Sequence, residues 1–183
     1  MKWDFKFLSQ TTEQELSSVY GKLSASRKAH VDSMKHSDSQ KRTLLGELLV
    51  RELLVTEYGI DLPEIVRAES GQPIVVSDNV FISIAHSGEL VTASVDTKRI
   101  GIDCEKIREV KPALIKRVCL PDEEAYILSG SDANVRFCEI WTAKEAYFKM
   151  IGTGITDFKS VNVLALNRQV FRMGDYIVQT VSD

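Results

Sequence analysis

Residues 140–152, IWTAKEAYFKMIG, are the stretch on which the fold prediction depends. They contain strong helix formers and no proline, so they predict a helix. At about 100° per residue, Glu145 and Lys149 lie together on one side of this helix. Lys144 points about 100° away from Glu145, among aromatic and aliphatic side chains. The helix therefore presents an acid beside a base, and a second base on its apolar face.

A structural interpretation of this helix is available from the residues alone. Glu145 and Lys149 form a favourable i,i+4 pair, which stabilises a helix by roughly 0.2–0.5 kcal/mol. Lys144 can run its alkyl stem over the aromatic side chains and bring its ammonium group to water. Taken by itself, the stretch does not require a function.

The segment GIDCE, residues 101–105, is the second informative pattern. On a strand, Ile102 and Cys104 point into a core, whereas Gly101, Asp103 and Glu105 share the other face. Two carboxylates this close repel each other unless a cation or a proton intervenes, and Mg²⁺ prefers such oxygen ligands. The alternative is a solvated strand face whose charge is offset by nearby basic residues.

The composition excludes several classes of function. The chain has 183 residues, 44% hydrophobic content, 27% charged residues and a net charge of −3. It is long enough for one domain or two small halves, and its charge gives no general attraction to nucleic acid or to anionic membranes. An anionic ligand therefore needs a local basic cluster.

The cysteines and the apolar runs indicate a soluble cytoplasmic protein. Cys104, Cys119 and Cys138 are odd in number and widely spaced, which argues against a disulfide framework or a zinc site. The N-terminal residues lack the uninterrupted apolar run of a signal peptide, and no stretch approaches the roughly 18 apolar residues of a membrane span.

Periodicity along the chain predicts an α+β fold, because strands and helices do not strictly alternate. Helices are expected at 37–59, 111–120, 121–129 and 135–151, with residues 12–34 helical or irregular. Strands are expected at 2–8, 65–68, 74–76, 80–85, 90–96 and 97–107, with a turn at SGQP (70–73) and one or two closing strands within 160–181.

Taken together, the two motifs resemble the 4′-phosphopantetheinyl transferase superfamily. That family has a G-[IV]-D-x-E strand, then some forty residues, then a W-x-x-K-E-x-x-x-K helix; here these are residues 101–105 and 141–149. KRTLLGELLVR (41–51), GQP (71–73) and ISIAHSG (82–88) resemble further family segments. The length favours the larger, surfactin-synthetase-activating type, which implies a monomer of two similar α+β halves related by pseudo-twofold symmetry. The halves are expected at residues 1–97, on the nucleotide-binding side, and 98–183, with the metal and catalytic motifs.

The resemblance implies an enzyme that moves the phosphopantetheine arm of coenzyme A to a serine of an apo carrier protein. Asp103, Glu105 and Glu145 are then the Mg²⁺ ligands, and Glu145 is also the candidate general base. Lys149 and Lys144 complete the implied catalytic set as phosphate contacts, although the helical wheel aims Lys144 away from Glu145. The residues implied for coenzyme A binding are Arg27, His30, Arg42, Thr43, Gln72, His86, Lys144 and Lys149.

Three positions depart from the family pattern. His30 and Gln72 stand where lysines are more usual, and Ala85 stands where a serine often precedes the histidine. Each removes a charge or a hydroxyl from the nucleotide side, so we expect a higher Michaelis constant for coenzyme A with the chemistry intact.

The carrier protein is not identified by the sequence. Carrier surfaces are commonly acidic, so the basic and apolar segment 107–120 is a candidate docking surface, although it can equally be an ordinary amphipathic helix. Two other functions remain open: a Mg²⁺-dependent phosphohydrolase that uses the same carboxylates, and a non-catalytic module that binds coenzyme A or a carrier protein.

Overall fold

Helices and antiparallel sheets make up the computed structural model, which describes residues 1–68, 71–76 and 79–183. The helices within these residues are α1 (Glu13–Lys22), α2 (Ala25–Asp32), α3 (Ser37–Tyr58), α4 (Pro112–Val118), α5 (Pro121–Leu128) and α6 (Ala133–Ile151). The strands are β1 (Lys2–Phe7), β2 (Ile65–Arg67), β3 (Pro73–Val75), β4 (Phe81–Ser87), β5 (Leu90–Asp96), β6 (Ile100–Lys106), β7 (Arg168–Met173) and β8 (Tyr176–Ser182). This irregular succession confirms the α+β class.

The two halves of the chain share one connectivity. Each contains a strand, a long helix and then a hairpin, and the last strand of each half lies in the middle of its antiparallel sheet. The sheet orders are β1-β5-β4 in the first half and β6-β8-β7 in the second. The long helices are α3 and α6, so the two halves are similar, as expected.

A pair of serines joins the two sheets. Ser83 Oγ on β4 accepts a hydrogen bond from the backbone N–H of Ile102 at 3.0 Å, and Ser87 Oγ accepts one from the N–H of Lys106 at 3.2 Å. The two serines are four residues apart on β4, and their partners Ile102 and Lys106 are four residues apart on β6 in the same order, so β4 and β6 run in the same direction. The GIDCE strand is thereby fixed beside the strand that ends in the HSG turn.

The apolar cores lie beneath the long helices and between the sheets. Leu45 and Leu49 of α3 pack against the first sheet, and Ile140 of α6 lies in the core of the second half. Between the sheets, the rings of Trp3 and Phe171 pack with centroids 4.5 Å apart.

Cys104, Cys119 and Cys138 are all buried and free, so no disulfide framework forms. Among the described residues, no helix combines the length and apolarity that crossing a membrane requires.

The closing strands predicted within residues 160–181 are confirmed as β7 and β8. Before β7, the backbone forms short 3₁₀ turns at Phe158–Ser160 and Val163–Ala165 rather than extended chain. Backbone groups of this segment bond to two buried charged side chains, described below, instead of to a strand. The predicted SGQP turn includes Ser70, which lies outside the described residues.

Candidate active site

A glycine brings the two sequence motifs together. Gly101 of β6 faces α6, and a Cβ atom at this position would overlap the carbonyl oxygen of Ala146. Helix and strand therefore approach more closely than any other residue would allow. This contact sets the carboxylates of β6 beside the face of α6 that carries Glu145 and Lys149.

Asp103 is the most enclosed carboxylate of the cluster. Asp103 is only 4% exposed, and its Oδ1 accepts a hydrogen bond from Lys149 Nζ at 2.7 Å. Its Oδ2 is buried without a hydrogen-bond partner among the described residues. Burial raises the pKa of Asp103 to about 6, with Lys149 opposing the rise and Glu105 adding to it.

Glu145 shares this electrostatic environment. Burial raises its pKa to about 7; the Asp103 charge adds to the rise, Lys149 opposes it, and Glu105 adds further. At Lys149, burial acts to lower the pKa, but the attraction of Asp103 outweighs it and the pKa is raised. The cluster therefore holds three mutually repelling carboxylates and one retained ammonium group.

Glu105 is oriented from the neighbouring sheet. Its Oε2 accepts a hydrogen bond from Ser87 Oγ at 2.8 Å, while the same hydroxyl accepts the N–H of Lys106. The HSG pattern marked this turn in the sequence, but the link from Ser87 to Glu105 was missed. A strand pattern cannot show which side chains of another strand lie alongside it.

The donor chemistry of the cluster suits a hard divalent cation. Three carboxylates lie close enough there to repel one another, and one buried oxygen of Asp103 has no donor among the described residues, so a cation would relieve both the repulsion and the desolvation. In this conformation the carboxylate oxygens do not surround a common metal position: among the described residues, no three His, Cys, Asp or Glu side chains are close enough together to bind one metal ion. The Lys149 ammonium stands against Asp103 instead.

Two of the predicted phosphate contacts are not brought to this cluster. Lys144 is fully buried; its Nζ lies 2.8 Å from Glu123 Oε2 and donates to the carbonyls of Phe158 at 2.7 Å and Val161 at 2.8 Å. The expected role of Lys144 as a catalytic and phosphate-binding residue is therefore corrected to a structural ion pair. The helical wheel correctly predicted that the Lys144 side chain points into the apolar core, but its ammonium group does not reach water.

Arg27 is the second correction. It is 5% exposed, and its Nη2 lies 3.0 Å from Glu47 Oε2. Glu47 also bonds Arg51, so Arg27 belongs to a buried ion network beneath α2 rather than to an open phosphate site.

The other predicted nucleotide-side residues lie nearer the surface. Arg42 Nη1 donates to the carbonyl of Gly88 at 3.2 Å, and Thr43 Oγ1 makes a weak contact with the sulfur of Met34 at 3.5 Å. His86 is exposed; partial desolvation, together with the charges of Arg42 and Lys149, lowers its pKa. Arg42 thus places a positive charge beside the HSG turn.

Gln72 connects the first half of the chain to the cluster. Its Nε2 donates to the backbone carbonyl of Lys149 at 2.6 Å, across the boundary between the two halves. A groove of about 230 Å³ passes this contact, with Arg67 and Lys149 as the charged members among the described residues that line it. Arg67 was missed in the sequence analysis, because a lone arginine on a short strand carries no pattern.

Comparison with known proteins confirms the resemblance drawn from the two motifs. Residues 99–180 match the model of the 4′-phosphopantetheinyl transferase superfamily. The 4′-phosphopantetheinyl transferase psf-1 of Bacillus pumilus is 30% identical over 139 residues, which cover 73% of this chain and 60% of that protein. The 4′-phosphopantetheinyl transferase Sfp of Bacillus subtilis is 30% identical over 126 residues, covering 66% of this chain and 56% of that one.

The matched lengths are partial. The 4′-phosphopantetheinyl transferase gsp of Aneurinibacillus migulanus is 34% identical, over 62% of this chain and 49% of that protein. Among solved structures, a holo-[acyl-carrier-protein] synthase of Thermotoga maritima aligns with a TM-score of 0.40 and 18% identity, over 45% of this chain and 61% of that one. The alignment with psf-1 thus spans about 60% of that relative's length.

Proposed function

We propose, from its kinship with the 4′-phosphopantetheinyl transferase superfamily, that this chain transfers the 4′-phosphopantetheine group of coenzyme A to a serine of an apo carrier protein. The products are the holo-carrier and adenosine 3′,5′-bisphosphate, and the reaction depends on Mg²⁺. The observation that carries the proposal is the contact at Gly101, which brings Asp103, Glu105, Glu145 and Lys149 into one cluster.

The three carboxylates are the proposed Mg²⁺ ligands. Asp103 offers a buried oxygen that has no hydrogen-bond partner in the part of the chain that the structure describes. Glu105 is oriented by Ser87, and Glu145 faces both from α6. When bound, Mg²⁺ would neutralise charge on the phosphate oxygens of coenzyme A.

Glu145 is the proposed general base. Its pKa of about 7 means that the carboxylate can accept a proton near neutral pH. The serine oxygen forms a new bond to phosphorus, the bond from that phosphorus to the oxygen of adenosine 3′,5′-bisphosphate breaks, and the serine proton passes to Glu145. Lys149 would donate hydrogen bonds to the departing phosphate after exchanging its hydrogen bond with Asp103 for that contact.

We propose different binding roles for the two halves of the chain. Residues 1–97 would hold the nucleotide of coenzyme A, and residues 98–183 would hold the metal and the reacting phosphorus. The hydrogen bond from Gln72 to the Lys149 carbonyl supports a shared site, since it joins the two halves beside the carboxylates. A monomeric state and a cytoplasmic location stay predictions.

The carrier protein is proposed to dock beside residues 107–120. Arg108, Lys111, Lys116 and Arg117 are exposed, whereas Ile115 and Val118 are buried in the core and cannot contact a partner. A cavity of about 260 Å³ lies between this segment and α6, with Arg108, Leu114 and Glu105 among its lining residues. An acidic carrier surface would thus meet basic side chains close to the proposed metal ligands.

Intact-protein mass spectrometry tests the proposal. The protein is mixed with coenzyme A, Mg²⁺ and a panel of apo carrier proteins, with EDTA in a parallel reaction. We expect at least one carrier to gain a single phosphopantetheinyl group only when the metal is present. Coenzyme A breakdown without any carrier would instead support a phosphohydrolase.

A matched pair of glutamate variants then tests the site. Glu145→Gln should lower the rate by at least about a thousandfold while coenzyme A still binds. Glu139→Gln is the control, since Glu139 lies on the same helix and accepts a hydrogen bond from the Tyr126 hydroxyl at 2.6 Å, outside the cluster. Equal rates for the two variants would contradict the proposed role of Glu145.

A further inference from the structure

Arg67 lies against the turn in which the family lysine is replaced. It is paired with Pro73 across the β2–β3 hairpin, and its Nε donates to the carbonyl of Gly71 at 3.0 Å. Gly71 has a left-handed backbone, with φ of 86°, and a Cβ there would lie 2.9 Å from Arg67 Nη2. The glycine therefore gives the guanidinium its place against the turn.

His30 holds the other side of the same guanidinium. Arg67 Nη1 lies 2.7 Å from Nδ1 of the His30 ring. Burial lowers the pKa of His30, and the charges of Arg67 and Arg27 lower it further. The histidine is thus a neutral support at neutral pH, and the positive charge at this point of the surface belongs to Arg67.

The guanidinium opens onto the groove that leads to the proposed reaction centre. Arg67 is exposed, and it lines the groove together with Gln72 and Lys149. Within residues 1–68, 71–76 and 79–183, the hydrogen-bond partners of its guanidinium are a carbonyl oxygen and a histidine ring, and neither neutralises its charge. Coenzyme A carries a pyrophosphate and a separate 3′-phosphate, so two cations along one groove match its two anionic parts.

We propose that Arg67 binds the 3′-phosphate of coenzyme A and supplies, from β2, the charge that Gln72 lacks. This inference rests on the proposed function. An arginine can hold a phosphate with two parallel hydrogen bonds, which a lysine in the turn could not do. The higher Michaelis constant expected from Gln72 is therefore offset by a residue five positions earlier.

Binding of two ligands to three proteins tests the inference. Calorimetric titrations compare coenzyme A with dephospho-coenzyme A, which lacks the 3′-phosphate, on the unmodified chain, Arg67→Gln and Arg172→Gln. Arg172 is the matched control, because it is also exposed and its Nε donates to the carbonyl of a hairpin glycine, Gly174, at 3.3 Å. Thermal unfolding of each protein verifies that it is folded.

We expect Arg67→Gln to weaken coenzyme A binding about tenfold and to leave dephospho-coenzyme A binding unchanged, with Arg172→Gln affecting neither. Adding Gln72→Lys to Arg67→Gln should restore most of the lost affinity. Equal losses for both ligands, or no loss for either, would overturn the role of Arg67 while leaving the transferase proposal standing. If the unmodified chain binds neither ligand, the transferase proposal fails with it.

Discussion

Helix α6 carries an ion-paired lysine on each of two sides, and the two ion pairs differ in how completely their polar atoms are hydrogen-bonded. Behind the helix, Lys144 and Glu123 are both 0% exposed. Lys144 also reaches two carbonyls, and Glu123 accepts the backbone N–H groups of Leu120 at 2.8 Å and Val163 at 3.0 Å. In front of the helix, the Lys149 side chain is 29% exposed, and one buried oxygen of Asp103 has no hydrogen-bond partner within the described residues.

This difference separates a structural ion pair from the pair that we propose takes part in the reaction. The rear pair joins α5, α6 and the segment 158–163, and protein groups provide the hydrogen-bond partners of both its charged side chains. The front pair is electrostatically incomplete, because three carboxylates share one ammonium group. The excess negative charge of such a site favours binding of a metal cation, and the bound cation can in turn bind the phosphates of a substrate.

The largest expected effect comes from breaking the rear pair. Lys144→Met should lower the free energy of unfolding by about 3–5 kcal/mol, because Glu123 is left as an uncompensated buried charge. Chemical denaturation measures this. The double variant Lys144→Met with Glu123→Gln should lose less than the single variant, since no isolated charge remains. A loss below about 1 kcal/mol for the single variant would show that water reaches Glu123.

The second largest effect on stability is expected from a substitution that separates α6 from β6. Gly101→Ala should lower the unfolding free energy by about 2 kcal/mol or more, since the added methyl group meets the Ala146 carbonyl. Gly21→Ala is the opposite control: Gly21 lies inside α1 with open space around its Cβ position, so the change should stabilise by about 0.5–1 kcal/mol. Equal effects at both sites would refute the close contact.

A smaller effect distinguishes the two serines that join the sheets. Ser83→Ala and Ser87→Ala each remove an acceptor for a β6 backbone N–H, so each should cost about 1 kcal/mol in denaturation experiments. Ser87 also orients Glu105, and its loss should therefore reduce the proposed transferase activity several-fold more than loss of Ser83. The same reduction in both variants would mean that the Ser87–Glu105 bond has no role in activity.

The smallest effect on stability has the opposite sign. Glu145→Gln removes one of three neighbouring negative charges, so the unfolding free energy should stay constant or rise by up to about 1 kcal/mol at neutral pH. Glu123→Gln should instead destabilise, because it leaves Lys144 without its counterion. If Glu145→Gln destabilised as strongly as Glu123→Gln, the front cluster would be structural as well.

Much of the fold was predictable because it follows from local periodicity. The apolar spacing of residues 37–59 placed α3, and the alternation within 101–105 placed Ile102 and Cys104 in the core, with Asp103 and Glu105 on the other face. The front cluster was predictable in composition for the same reason. Glu145 and Lys149 share a helical face wherever that helix packs.

The tertiary structure alone decided which charged side chains meet. The sequence determined that Lys144 points into an apolar environment, yet Glu123 and the carbonyls at 158 and 161 come from other segments of the chain. The burial of Arg27 by Glu47 and the approach of Arg67 to His30 have the same origin. Periodicity fixes the direction in which a side chain leaves its helix or strand, but long flexible side chains bond to whatever distant segment fills that space.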